Sequence, residues 1–249
     1  QPIFQDPFEA YNPFYRVDHV LTVPLQKLRP AASLADAHRM IRHAVEQVGL
    51  APEEILGRYP HELSGGQRQR LMAARALLIR PRAILADEPV SMVDASLRAT
   101  ILESLRDLHR TYGISLIYVT HDLTTAFQIA DAIVILYRGR IVEAGPVETV
   151  IATPKHSYTR LLVESIPRMN PDRRWGTSGQ TAGLSPAPGG CAFADRCSSV
   201  MHRCRVAKPP LYAEPNGQAA RCFLSGERPT ISDERVARNL AGEIFAEAS

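Results

Sequence analysis

"YPHELSGGQRQRLMAARALLIRPRAILADEP", residues 59–89, runs from a helix start through a helix to a strand that ends on two acids. Ser64 is a capping residue, and Gly65, Gly66 and Gln67 open a helix that should continue to about Ile79, with Pro81 stopping it. "AILA" (83–86) is a short apolar run bounded by charge, the pattern of a buried parallel strand. Asp87 and Glu88 then stand together at the strand's carboxyl end, and Pro89 turns the chain away. Helix, strand and acids in this order predict an α/β fold in which the strand ends carry the chemistry.

The flanking sequence repeats the alternation. Upstream, residues 1–33 read as loop and turn, with prolines at 2, 7, 13, 24 and 30 interrupting any long element. Ser33–Leu50 is helical in period, with Ala37, Met40, Ile41, Ala44, Val45 and Val48 on one stripe. Downstream, a helix is predicted over 95–112, a strand over 115–120, a short helix after Asp122, and strands over 132–137 and 140–145 around a turn at Arg138–Gly139. Composition changes after Pro167, and "GTSGQTAGLSPAPGG" (176–190) reads as a flexible linker. From Ser232, Val236, Leu240 and Ile244 recur every four residues, which predicts a short amphipathic tail helix.

Bulk properties exclude several classes. The chain has 249 residues, 45% hydrophobic and 22% charged, an ordinary globular composition. A net charge of +3 gives no argument for a nucleic-acid partner. No apolar run approaches the length of a membrane span.

The acid pair and the glycine pair each suggest phosphate chemistry. Adjacent carboxylates at a strand end repel unless a cation relieves them, and magnesium carried by a nucleotide is one such cation. The bland alternative for Asp87–Glu88 is a solvated strand end. "LSGGQ" (63–67) is more specific: two glycines let backbone N–H groups approach an anion, Ser64 adds a hydroxyl, and the helix directs its positive end to the same place.

"LSGGQRQR" resembles the signature motif of ATP-binding cassette (ABC) ATPases, and "AILADEP" resembles their Walker B strand. "FQDPFEAYNP" (4–13) is similar to the Q-loop, "SMVD" (91–94) to the D-loop, and "VTHD" (119–122) to the switch motif, all in the family's order. The resemblance implies a P-loop NTPase-type nucleotide-binding domain with a mainly parallel sheet and a helical subdomain at about 14–62. It also implies roles. Asp87 holds Mg²⁺, Glu88 is the general base, His121 contacts the γ-phosphate, and Gln5 senses metal and water. Ser64, Gly65, Gly66 and Gln67 act in trans on ATP held by the opposite subunit of a dimer, and Asp94 communicates across that interface.

Such ATPases need a phosphate loop, G-x-x-x-x-G-K-[ST], with a lysine on the phosphates. The chain has three lysines, Lys27, Lys155 and Lys208, and none follows a glycine. In this family the loop lies upstream of the Q-loop, so the expectation is a truncated chain that binds or hydrolyses ATP poorly by itself. The alternative is a loop-less, hydrolysis-incompetent regulatory subunit that contributes only its signature motif to a partner's site.

All four cysteines, Cys191, Cys197, Cys204 and Cys222, lie in one segment spaced C-x5-C-x6-C-x17-C. The spacing lacks paired C-x-x-C knuckles, and four thiolates suit tetrahedral zinc or a [4Fe–4S] cluster equally. "PKHSYTRLLVESIP" (154–167), "GGCAFADRCSSVMHRC" and "KPPLY" resemble the C-terminal extension of oligopeptide/dipeptide permease ATPases, and this resemblance favours the [4Fe–4S] cluster over Zn²⁺. It further implies peptide cargo, with nickel less frequent, and as partners a second ABC subunit, transmembrane permease subunits and, indirectly, a substrate-binding protein. The place of work would be the cytoplasmic face of the membrane. The expected organisation is an ABC domain over 1–153, an extension and linker over 154–190, a four-cysteine module over 191–228 and a tail helix over 229–249.

Overall fold

The alternation expected for residues 83–119 is present in the computed structural model, which describes residues 1–3, 11–28, 33–79, 81–91, 93, 95–166 and 189–240. These residues divide into two units, Gln1–Ile129 and Ala130–Ser249.

In the first unit, β1 (Pro2–Ile3), β2 (Ala83–Asp87) and β3 (Ser115–Val119) form a parallel sheet in that order. The register sets Ile3 against Ala86 and Asp87 against Val119, so the carboxyl ends of β2 and β3 finish level. Helix α1 (Asp18–Leu28) occupies a stretch that the sequence marks as loop because Pro24 lies inside it. Val17, Leu21 and Leu25, four residues apart, are all at most 1% exposed. Burying that stripe outweighs the roughly 3 kcal/mol that an internal proline costs a helix.

Helix α2 (Leu34–Gln47) is capped by Ser33, whose hydroxyl accepts from the Asp36 amide. A short α3 (Pro52–Ile55) follows, then α4 (Gly65–Leu78), the central helix. Leu71, Met72, Ala74, Ala76 and Leu78 of α4 are buried together with Ile41 and Val45 of α2 and Ile84 and Ala86 of β2. Helix α5 (Ala95–Tyr112) ends where Gly113 takes a left-handed conformation, and α6 (Leu123–Ile129) follows β3.

β2 is not the fully buried strand its apolar run predicts. Ile84 and Ala86 point into the core, whereas Leu85 on the other face is 45% exposed. Period-two geometry sends alternate side chains to opposite faces, and the described helices cover one of them.

In the second unit, β4 (Ala132–Tyr137) and β5 (Arg140–Pro146) form a hairpin. Arg138 and Gly139 both adopt positive φ, 48° and 72°, the two-residue turn whose twist matches paired strands. So tight a connection forces antiparallel pairing, which confines the parallel sheet to the first unit. Next come α7 (Val147–Ala152), α8 (Ser157–Glu164), α9 (His202–Val206), β6 (Tyr212–Ala213), β7 (Ala219–Ala220) and α10 (Asp233–Leu240). The sheet order is β4-β5-β7-β6, so β7, just before Cys222, pairs directly with β5, and β6 pairs with β7. Val236 of the tail helix is 4% exposed and packs with Ala144, Leu211 and Ala219. Ile244 and, but for Gly189 and Gly190, the linker of 176–190 lie outside the described residues.

Candidate functional site

The level ends of β2 and β3 determine what meets there. Glu88 follows β2 directly, and its amide donates to the Val119 carbonyl at the end of β3, 2.9 Å. Its own carbonyl accepts from the Ser91 amide at 3.1 Å and from the Ser91 hydroxyl at 2.9 Å, closing a four-residue turn with Pro89 at its second position. Within that turn Glu88 has φ 43°, a left-handed conformation that costs a non-glycine residue about 1–3 kcal/mol. Nothing in the sequence signals this strain, because glutamate followed by proline has no turn-type signature for it.

His121 arrives from β3. Thr120 accepts from the Asp122 amide at 3.0 Å and the Asp122 carboxylate accepts from the Thr124 amide at 2.8 Å, so the chain turns sharply into α6. The His121 side chain is left 74% exposed, with its Nδ1 2.8 Å from the Glu88 carboxylate, which is 22% exposed. A carboxylate only accepts, so Nδ1–H donates to it. Asp87 is exposed at the end of β2 beside them. The arrangement places two carboxylates and an imidazole at the mouth of a parallel sheet, the set needed to hold a divalent cation and to take a proton from water.

The signature segment is built differently. Ser64 caps α4: its hydroxyl accepts from the Gln67 amide at 3.2 Å, and the Gln67 side chain accepts from the Ser64 amide at 2.9 Å. This reciprocal box orients both side chains and leaves the first-turn amides of Gly65 and Gly66 at the positive end of a 14-residue helix. Arg68 in the next turn is buried and donates to the Pro60 carbonyl, which ties the loop before the motif to the helix. Gln5 and Asp94, also expected at the site, lie outside the described residues.

The second unit holds another acid and another histidine. Glu143 of β5 is fully buried, and its two carboxylate oxygens accept from the amides of Lys155 and His156, each at 2.8 Å, just before α8. Burial pushes its carboxyl up from the ordinary value, against the pull of those two amides. His156 is 3% exposed and its Nδ1 accepts from the Tyr158 amide at 3.0 Å. Burial lowers it to about 4. Sequence reading missed Glu143, since one glutamate in "RIVEAG" looks like an exposed strand position.

Next to these, the Cys197 thiol donates to the Ser157 hydroxyl at 3.2 Å, and the Met201 amide donates to the Cys204 sulfur at 3.4 Å. All four cysteines are free of disulfides. Burial raises the Cys191 and Cys222 thiols, and the charges of the neighbouring cysteines raise them further. The donor chemistry suits a soft metal, but among the described residues no three or more His, Cys, Asp or Glu side chains are placed as a ligand set. In this arrangement the thiols do not fit a cluster.

A solved dimeric structure of the ATP-binding cassette MJ0796 in a post-hydrolysis state, bound to ADP and Pi, aligns with 59% of this chain and 62% of its own at a TM-score of 0.52 and 28% identity. The chain thus has an ABC cassette fold. Residues 3–91 match the ABC transporter family, and residues 142–204 match the family described as the oligopeptide/dipeptide transporter C-terminal region. A probable peptide ABC transporter ATP-binding protein of Sinorhizobium fredii is 39% identical over 90% of this chain, and the dipeptide transport ATP-binding protein DppF of Haemophilus influenzae is 36% identical over 90%. This chain belongs to the ATP-binding proteins of the oligopeptide/dipeptide ABC transporters. It spans 64% of the length of the Sinorhizobium relative and 68% of the Haemophilus one.

Proposed function

We propose that this chain forms part of the ATP-hydrolysing subunit of an ABC importer for peptides, working as a dimer with transmembrane permease subunits on the cytoplasmic face of the membrane. One observation carries the reading: Glu88 and His121, joined at 2.8 Å, sit where the carboxyl ends of two parallel strands finish level. Bound magnesium with a nucleotide would supply charge neutralisation for phosphoryl transfer. Asp87 would hold that ion. Glu88 would take the proton of the attacking water at its carboxylate, and His121, with an N–H on each ring nitrogen, would donate from Nδ1 to Glu88 and from Nε2 to the phosphate. The amides of Gly65 and Gly66, with Ser64 and Gln67, would face the nucleotide of the opposite subunit. Gln5 and Asp94 take the sensing and cross-interface roles that the family resemblance implies.

Glu88→Gln in the native transporter is expected to slow ATP turnover by about 10²–10⁴-fold, the usual contribution of a general base. Unchanged turnover would remove Glu88 from that role. Peptide cargo rests on the relatives and on the C-terminal region, and loss of labelled dipeptide uptake in cells carrying Glu88→Gln tests it. Among the described residues no helix is long and apolar enough to cross a membrane.

For Cys191, Cys197, Cys204 and Cys222 the family resemblance suggests a [4Fe–4S] centre, with zinc as the alternative, but the thiols are not placed as a ligand set, so no metal is assigned to them and no step runs through one. Iron, sulfide and zinc analysis of anaerobically purified protein decides between them, and the absence of all three discards both.

A further inference from the structure

A cavity of about 200 Å³ in the second unit is lined by Arg138 and Arg140 of the hairpin, Lys208 and Arg221, with Val142, Phe193 and Pro209 among its apolar walls. Among the described residues no acidic side chain lines it. Arg221 is already fixed: its Nε donates to the Ile141 carbonyl at 2.8 Å and its guanidinium pairs with Asp233 at the start of α10. Arg138, Arg140 and Lys208 make no ion pair among the described residues, and Arg138 lies over the Tyr137 ring at 5.5 Å. Arg138 also occupies a left-handed turn position at φ 48°, where asparagine or glycine would be less strained. His156, the remaining titratable nitrogen base in the lining, is buried and neutral, so it adds no charge of its own near pH 7.

Like charges gathered in a concave, partly apolar site repel one another and focus a positive field there. Two guanidiniums on a rigid hairpin and a third held by two contacts form a pre-organised set of planar donors, suited to phosphate oxygens. We propose that this cavity is an anion site for a phosphate-bearing small molecule or headgroup, separate from the strand-end site of the first unit. The volume exceeds that of one phosphate and suits a diphosphate or a phosphodiester with a short substituent. Cys191 of the cysteine segment also lines the cavity; the inference does not depend on the cargo.

The test is titration calorimetry of the full chain, without magnesium, against inorganic pyrophosphate, together with flotation on phosphatidylglycerol vesicles. The variants are Arg140→Gln/Lys208→Gln and a charge-matched control, Arg106→Gln/Arg110→Gln on the exposed side of α5, each checked by thermal melting. The site predicts saturable binding that weakens about tenfold or more in the cavity variant and not in the control, as expected when two charge-assisted contacts are lost. Pyrophosphate binding assigns a soluble ligand, and vesicle binding alone assigns a lipid headgroup. The proposal falls if neither probe binds, if both variants lose binding equally (a general charge effect), or if the cavity variant binds like the parent.

Discussion

Each unit contains a glutamate and a histidine that lie close together, and the two pairs serve opposite ends. Glu88 and His121 bond to each other at strand ends, with the His121 side chain 74% exposed. Glu143 and His156 are buried and spend their polar atoms on backbone amides, Glu143 on two and His156 on one. Exposure at the mouth of a parallel sheet keeps a carboxylate and an imidazole available to a ligand. Burial with backbone partners makes the same residue types a fastening for α8. Residue type alone therefore does not distinguish chemistry from architecture; what surrounds the side chain does.

That contrast can be broken by substitution. The largest effect expected is the loss of turnover in Glu88→Gln, about 10²–10⁴-fold, with a melting temperature that stays at the parent value, since the side chain is part of no core. A melting shift of several degrees would mean that Glu88 is architectural as well. Conversely, Glu143→Ala is expected to lower stability by about 3–4 kcal/mol, because two buried amides lose charged acceptors. Hydrogen exchange should localise the loss to residues 132–164, and uniform protection there would contradict the fastening role.

Acidity sharpens the comparison. His156 has its folded-state value depressed to about 4 from 6.5, so its contribution is present above pH 6.5 and lost as pH falls toward 4. The size is about 3 kcal/mol at the standard 1.36 kcal/mol per unit. Glu143 works in the opposite sense: its folded-state carboxyl is raised, so its contribution is present below the ordinary 4.5 and fades as pH rises. Denaturation across pH 4–7 should therefore tilt one way in Glu143→Gln, which keeps only the histidine's dependence, and the other way in His156→Asn. Parallel profiles in the two variants would refute the burial argument. The smallest effect belongs to Ser64→Ala. Removing the cap of α4 should cost about 1 kcal/mol, read as a shift in urea midpoint.

Much of the first unit was legible before any coordinates. The predicted helix ends and strands over 65–119 agree with the structure to within a residue or two, because capping at Ser64, the stop before Pro81 and the apolar run at 83–86 are local signals. Helix α1 was not legible, since Pro24 is a local signal against it and the burial of Leu21 and Leu25 against other helices is not local. The strand-end acids could be picked out by position. Their partnership with His121 could not, because 33 residues separate them and the register of β2 with β3 makes the contact.

By itself the sequence determined the order of motifs, the α/β alternation and the clustering of four cysteines, all of which are written in neighbouring residues. Only the tertiary structure decided that Glu88 sits in a strained turn against His121 and that β5 pairs with β7 of the cysteine-bearing segment. It alone decided, too, that Glu143 is buried and that four cations share one cavity. Those outcomes depend on which distant backbones hydrogen-bond and on which faces are closed to water, and neither is encoded in any short stretch of chain.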